Sequence, residues 1–132
     1  MGTTVYDDNW GSVVDHSDEG FLEIIWTDET SEMTGEAFNE WLGGFAGLVE
    51  QHRRPGVLVD SRAFMMEMEL MDGEWRDRNI IPRYNHAGVE KFAFVMPPGM
   101  PAIGAEPAPE GPGSFPTGYF GTREDAVAWL AS

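Results

Sequence analysis

"RRPGVLVD", residues 53–60, decides how this chain folds. Arg53 and Arg54 suit the negative end of a helix dipole, and Pro55-Gly56 stops a helix. Val57-Leu58-Val59 then runs without a polar residue up to Asp60. An unbroken apolar run of this length suits a strand covered on both faces, the habit of parallel sheets. A helix feeding such a strand implies a crossover connection, so the flanking sequence must supply a helix before it and parallel partners beside it.

Upstream, Phe38, Trp41, Leu42, Phe45, Leu48, Val49 and His52 recur at spacings of three and four. That stripe predicts an amphipathic helix over 34–53, with Thr34 as its N-cap. His52 falls near its C-terminus, where it complements the dipole or fills the core edge. Gly43, Gly44 and Gly47 each weaken a helix by up to about 1 kcal/mol relative to Ala, so a neighbouring element is expected to pack closely against them. Before the helix, "FLEIIW" (21–26) reads as a strand, and "DETSEM" (28–33) as a polar link. Residues 1–19 hold short apolar pairs, Val5-Tyr6 and Val13-Val14, punctuated by Gly11 and Gly20, which predicts one or two short strands or a hairpin.

Downstream, "FMMEMELM" (64–71) fits both strand alternation and one helical face; the preferred reading is an extended or irregular segment ending at Asp72, a cap for a helix from about 73 to 80. Pro82 then interrupts "EWRDRNIIPRYNHAG" (74–88) and pushes Ile81 away from helical geometry. A second turn follows, ending at Gly88 in the left-handed conformation. Arg76, Asp77, Arg78 and Arg83 are expected in solvent, with Glu74 and Arg78 as an i,i+4 pair. "AFVM" (93–96) is a strand. Residues 97–116 hold seven of the nine prolines and form a long loop. Gly118-Tyr119-Phe120 is a short strand, and Thr122 starts a last helix, with Ala126, Val127, Trp129 and Leu130 as its buried face. The order predicts an α/β sandwich: a mixed β-sheet flanked by helices, in a single domain over 1–132 with a Pro/Gly-rich loop at 97–116.

The stretches "GVLVDSRAF" (56–64), "EWRDRNIIPRYNHAGVEKFAFV" (74–95) and "YFGTREDAVAWL" (119–130) carry a resemblance. Together they resemble the SpoIIAA-like branch of the STAS superfamily, including the bacterial STAS/SEC14-type proteins, over roughly residues 20–130 with 97–113 as an insertion. The resemblance implies a mixed sheet flanked by helices, a homodimer, no catalysis, and a protein partner or a small apolar ligand. Members of the anti-anti-sigma type carry a phosphorylated serine in an Asp-Ser-Ser-Gly stretch. The matching place here is Met71-Asp72-Gly73-Glu74, which has no serine, so no phosphorylation site is carried over and an anti-anti-sigma regulator is an alternative only.

Composition narrows the partners. The net charge is −15, from 23 acids against eight bases, and such a surface repels phosphate backbones and anionic membranes. Nucleic acid is therefore not an expected partner. No apolar run reaches the roughly 18 residues that span a bilayer, so no membrane insertion is expected. The chain has no cysteine, which excludes disulfides and thiol chemistry and fits a reducing cytoplasm. The N-terminal residues do not read as a signal peptide, so a cytoplasmic location is expected.

Candidate chemistry is sparse. His16, His52 and His86 have no partner at metal-ligand spacing. Asp15-His16-Ser17-Asp18 reads as an acidic turn rather than a metal site. Ser61, His86 and Asp60 or Asp77 could be written as a triad, but nothing aims the Ser61 hydroxyl. No catalytic residue, metal site or cofactor is assigned. The clustered methionines are more suggestive. Core filling is the plainer reading of them; the alternative is an adaptable ligand surface under the 97–116 loop. Met66, Met68, Trp75, Tyr84 and His86 are accordingly the candidate ligand-binding residues. The alternative function is a small enzyme with a polar site around His86, aided by Tyr84 or Arg78.

Overall fold

The computed structural model describes residues 2–97 and 115–132, apart from the side chain of Met68. The apolar pairs near the start form the hairpin: β1 (Thr3–Asp7) pairs antiparallel with β2 (Gly11–His16). Asp8 shapes the turn, its Oδ1 accepting from the backbone N–H groups of Trp10 and Gly11 at 2.9 and 3.1 Å. β2 runs antiparallel to β3 (Phe21–Trp26) through a turn in which Gly20 has φ of 80°, a conformation glycine adopts without steric cost. Asp15 and His16 therefore belong to β2 and are buried, which corrects the expectation of an acidic turn at that point.

From β3 onward the sheet is parallel. β4 (Gly56–Asp60), β5 (Lys91–Val95) and β6 (Thr117–Phe120) follow one another, and the six strands lie in chain order. The architecture is the expected mixed α/β sheet. α1 (Gly35–His52) crosses from β3 to β4, and α2 (Gly73–Asn79) with α3 (Ile81–Ala87) crosses from β4 to β5. α4 (Arg123–Leu130) follows β6. Threonine and aspartate start three of these helices as expected. Thr34, Asp72 and Thr122 side chains accept from Ala37, Trp75 and Asp125 N–H at 3.1, 3.0 and 3.1 Å.

The period of two along each strand separates two cores. Leu22, Ile24, Trp26, Val57, Val59 and Phe92 pack with α1 and α3. Phe21, Leu58, Ala93, Val95 and Phe120 pack with α4. Trp26 sits at the centre of an aromatic group, with ring centroids 4.4 Å from Trp41, 5.2 Å from Phe64 and 5.9 Å from Phe38. Of the residues expected to bury α4, only Ala126 is fully covered; Val127, Trp129 and Leu130 are partly so.

The helix break differs in detail from the sequence reading. Ile80 ends α2 and caps α3, and Ile81 and Pro82 open α3. The expectation that Ile81 leaves the helix is thus corrected: the break falls one residue earlier. Pro82 then sits in a first turn, where its missing N–H has no intrahelical partner to lose. Gly88 caps α3 with φ of 89°, as expected. The polar stretch after β3 contains a short 3₁₀ turn, Asp28–Glu32, and another spans Met68–Leu70 within an otherwise irregular segment. The loop expected at 97–116 falls, except for Pro97, Phe115 and Pro116, outside the described residues.

The three glycines in the middle of α1 are not points of close packing. A Cβ built at Gly43 or Gly44 would have nothing within 4 Å, and one at Gly47 would meet only the Arg83 guanidinium at 3.8 Å. Close packing against them is therefore a corrected expectation. Gly43→Ala and Gly44→Ala should each stabilise the fold by about 0.5–1 kcal/mol through helix propensity. Thermal and denaturant unfolding check this, the expected outcome being additive gains in both midpoints.

Candidate functional site

α1 and the α2–α3 pair diverge to leave an open groove of about 700 Å³, lined by Glu36, Asn39, Glu40 and Gly43 on one side and Trp75, Asn79, Ile80 and Arg83 on the other. Helical spacing explains both walls: residues three and four apart share a face. Ile80, 1% exposed, ties the second wall to the core. Asn79 donates its amide to the Trp75 carbonyl at 2.9 Å, which fixes the side chain and leaves its amide oxygen as an acceptor. A smaller hollow of about 180 Å³ lies on the other side of α1, between Tyr6, Val13, Trp41, Phe45 and Leu48, and shares Glu40 with the groove.

Arg83 closes one end. Its Nε and Nη2 donate to Glu50 Oε2 and Oε1 at 3.0 and 2.5 Å, and Nη1 reaches the Gly43 carbonyl at 3.4 Å. The expectation that Arg83 stands in solvent is corrected, because this fork bolts α3 to α1. The Glu50 hydrogen bonds hold the guanidinium of Arg83 above its ordinary range. Arg78 and Glu74 form the expected i,i+4 pair at 3.8 Å, with both side chains exposed.

The candidates drawn from the sequence do not converge. Trp75 lines the groove. Met66 is buried in the core beside α1, drawn in by Thr30, whose Oγ1 accepts from the Met65 N–H at 2.8 Å. Tyr84 is also buried, with its ring 5.6–6.4 Å from those of Phe45, Phe92 and Phe115. His86 is exposed on α3. The Met68 side chain lies outside the described residues, as does most of the loop expected to cover it.

Sequence reasoning missed a buried charge network on the α4 side of the sheet. Glu23, 3% exposed, accepts two hydrogen bonds from Arg123 at 2.8 and 2.9 Å and lies 2.8 Å from His16 Nε2. Asp60 accepts from Arg62 Nε, Nη2 and backbone N–H at 2.9, 2.7 and 3.2 Å. Burial works to raise the Asp60 carboxyl, but these bonds outweigh it and hold it below the usual carboxylate range. Asp60 is therefore committed to Arg62, and it faces the α4 side while His86 lies on the helical layer opposite, so the version of the triad that uses Asp60 is not assembled. The signal for this network was an acid inside the apolar run "FLEIIW". Asp15, on the other face of β2 from His16, takes a two-pronged contact from Arg54 at 2.8 and 2.9 Å. The adjacent Asp15 and His16 thus serve different layers. Among the described residues no group of three or more His, Cys, Asp or Glu is placed to hold a metal ion.

No family model, curated protein or solved structure matches the chain. Among the described residues no helix is long and apolar enough to cross a membrane.

Arg123→Met leaves the Glu23 carboxylate buried without its main cation. The expected loss is about 2–3 kcal/mol by denaturant unfolding, below that of a fully buried pair because the Arg123 side chain is 38% exposed. For Asp15, the Arg54 hydrogen bonds, aided by the charges of Arg54, His52 and His16, hold the carboxyl below its ordinary value. Its stabilisation is complete above the ordinary aspartate pKa and is lost as pH falls through the lower folded value. Asp15→Asn should therefore lower stability at neutral pH and flatten its dependence between about pH 5 and 2, measured as unfolding free energy against pH.

Proposed function

We propose that the chain is a non-catalytic, SpoIIAA-like binding domain whose α1–α2/α3 groove receives a segment of a partner protein. The single observation carrying this reading is the groove itself, walled by α1 and the α2–α3 pair and containing an indole, amides and carboxylates. Such a set offers contact area and hydrogen bonds for recognition. The mixed sheet with parallel crossovers supports the family part of the reading. The polar lining favours a peptide segment over the small apolar ligand that the resemblance alone suggested. The separation of buried Tyr84 from exposed His86 lends the enzymatic alternative no support.

Gly43→Phe tests the reading. A Cβ at that position meets nothing within 4 Å, and Gly43 lines the groove, so the ring is expected to project into it. A pool of mixed tripeptides added to isotopically labelled protein should shift the amide resonances of residues 36–43 and 75–83. The same pool should leave Gly43→Phe unaffected, while its melting temperature stays at or above that of the parent. Shifts that cluster elsewhere and persist in Gly43→Phe would overturn the proposal.

A further inference from the structure

The groove carries an unbalanced charge that specifies its occupant. Three lining residues are charged: Glu36, Glu40 and Arg83. Arg83 is already neutralised by Glu50, which stands outside the lining. Glu36 and Glu40, one turn apart on α1, make no ion pair among the described residues. Of the α2 arginines, neither of which lines the groove, Arg76 lies 3.8 Å from Asp77 and Arg78 3.8 Å from Glu74. Two carboxylates and the Asn39 amide thus line one wall of an open cleft, opposite the Trp75 indole and the Asn79 amide.

Resting on the binding reading above, we infer that the groove takes a basic segment of a partner protein, with an arginine or lysine side chain seated between Trp75 and the Glu36–Glu40 pair. A cation over an indole face gains from the ring quadrupole, and a nearby carboxylate adds to that attraction as water is excluded. The amide oxygen left on Asn79 can accept from a guanidinium or ammonium. A divalent metal fits less well, since two side-chain carboxylates on one exposed helix do not complete an oxygen cage. A second copy of this chain also fits less well, because both copies would bring the net charge of −15 into contact.

The test uses the full chain and a fluorescein-labelled peptide, Gly-Arg-Gly-Lys-Gly, with Gly-Glu-Gly-Glu-Gly and Gly-Leu-Gly-Leu-Gly as controls. Binding is followed by anisotropy and by the Trp75 indole N–H resonance. The basic peptide alone should bind, move that resonance, and weaken as salt rises. Glu36→Gln with Glu40→Gln should weaken it roughly tenfold. The same charge change at Glu29 and Glu32, exposed residues before α1, should have little effect. All four positions are exposed, so the variants keep the parent melting temperature. Equal loss from both double variants would overturn the inference in favour of diffuse surface charge. Binding of the leucine peptide in the groove, without the basic one, would overturn the inference and leave the binding reading standing. No shift at residues 36–43 or 75–83 with any peptide would overturn both.

Discussion

Burial of β4 on both faces is the constraint from which the layers take their places. Val57 and Val59 point to α1 and α3, Leu58 points to α4, and all three are at most 4% exposed. Each such side chain contributes about 1.5–3 kcal/mol by leaving water. Neither helical layer can be removed without exposing part of this strand. β3 and β5 lie on either side of β4 in register, so their own alternation inherits the division. The groove is a product of the same constraint: α1 and α3 both press onto one face of the sheet, while α2, with no residue fully buried, is free to stand off from α1.

Buried and exposed charges are handled differently. On the α4 side, the buried Glu23 is compensated by Arg123 and His16, and Asp60 by Arg62. Such pairs stabilise little relative to apolar substitutes, but breaking one is costly. They act as fasteners that fix where α4 lies. On the α1 side, Asp15 is likewise held by Arg54, whereas the exposed Glu36 and Glu40 have no ion-pair cation among the described residues. The buried charges named here are thus satisfied, while those without a cation border the α1–α2/α3 groove, where the basic occupant proposed above would meet them.

Much of the fold was legible because it rests on local rules. The stripe from Phe38 to Val49, the caps at Thr34, Asp72, Thr122 and Gly88, and the run Val57–Val59 each declare themselves within a few residues. The candidate site was legible only at Trp75. Glu36 and Glu40 look like ordinary solvent positions of an amphipathic helix, and nothing nearby in sequence reveals that another helix faces them. Tyr84 and His86 illustrate the opposite error. Two residues apart on a helix they point roughly 200° from each other, so one enters the core while the other meets water. Glu23 and Arg123 are a hundred residues apart, and no periodicity connects them.

The strand order has a consequence for how the chain is made. Each strand pairs with the one that precedes it in sequence, so a nascent chain leaving the ribosome finds every new strand's neighbour already present. Assembly can advance from the hairpin without waiting for distant segments, which keeps loop-closure costs low and sticky edges short-lived. A tie across a hundred residues forms late. When Arg123 emerges with α4 and reaches Glu23, it joins the last helix to the third strand, and the buried carboxylate acquires its cation only then. The α4 layer is thereby sealed after the strands it covers are already in place.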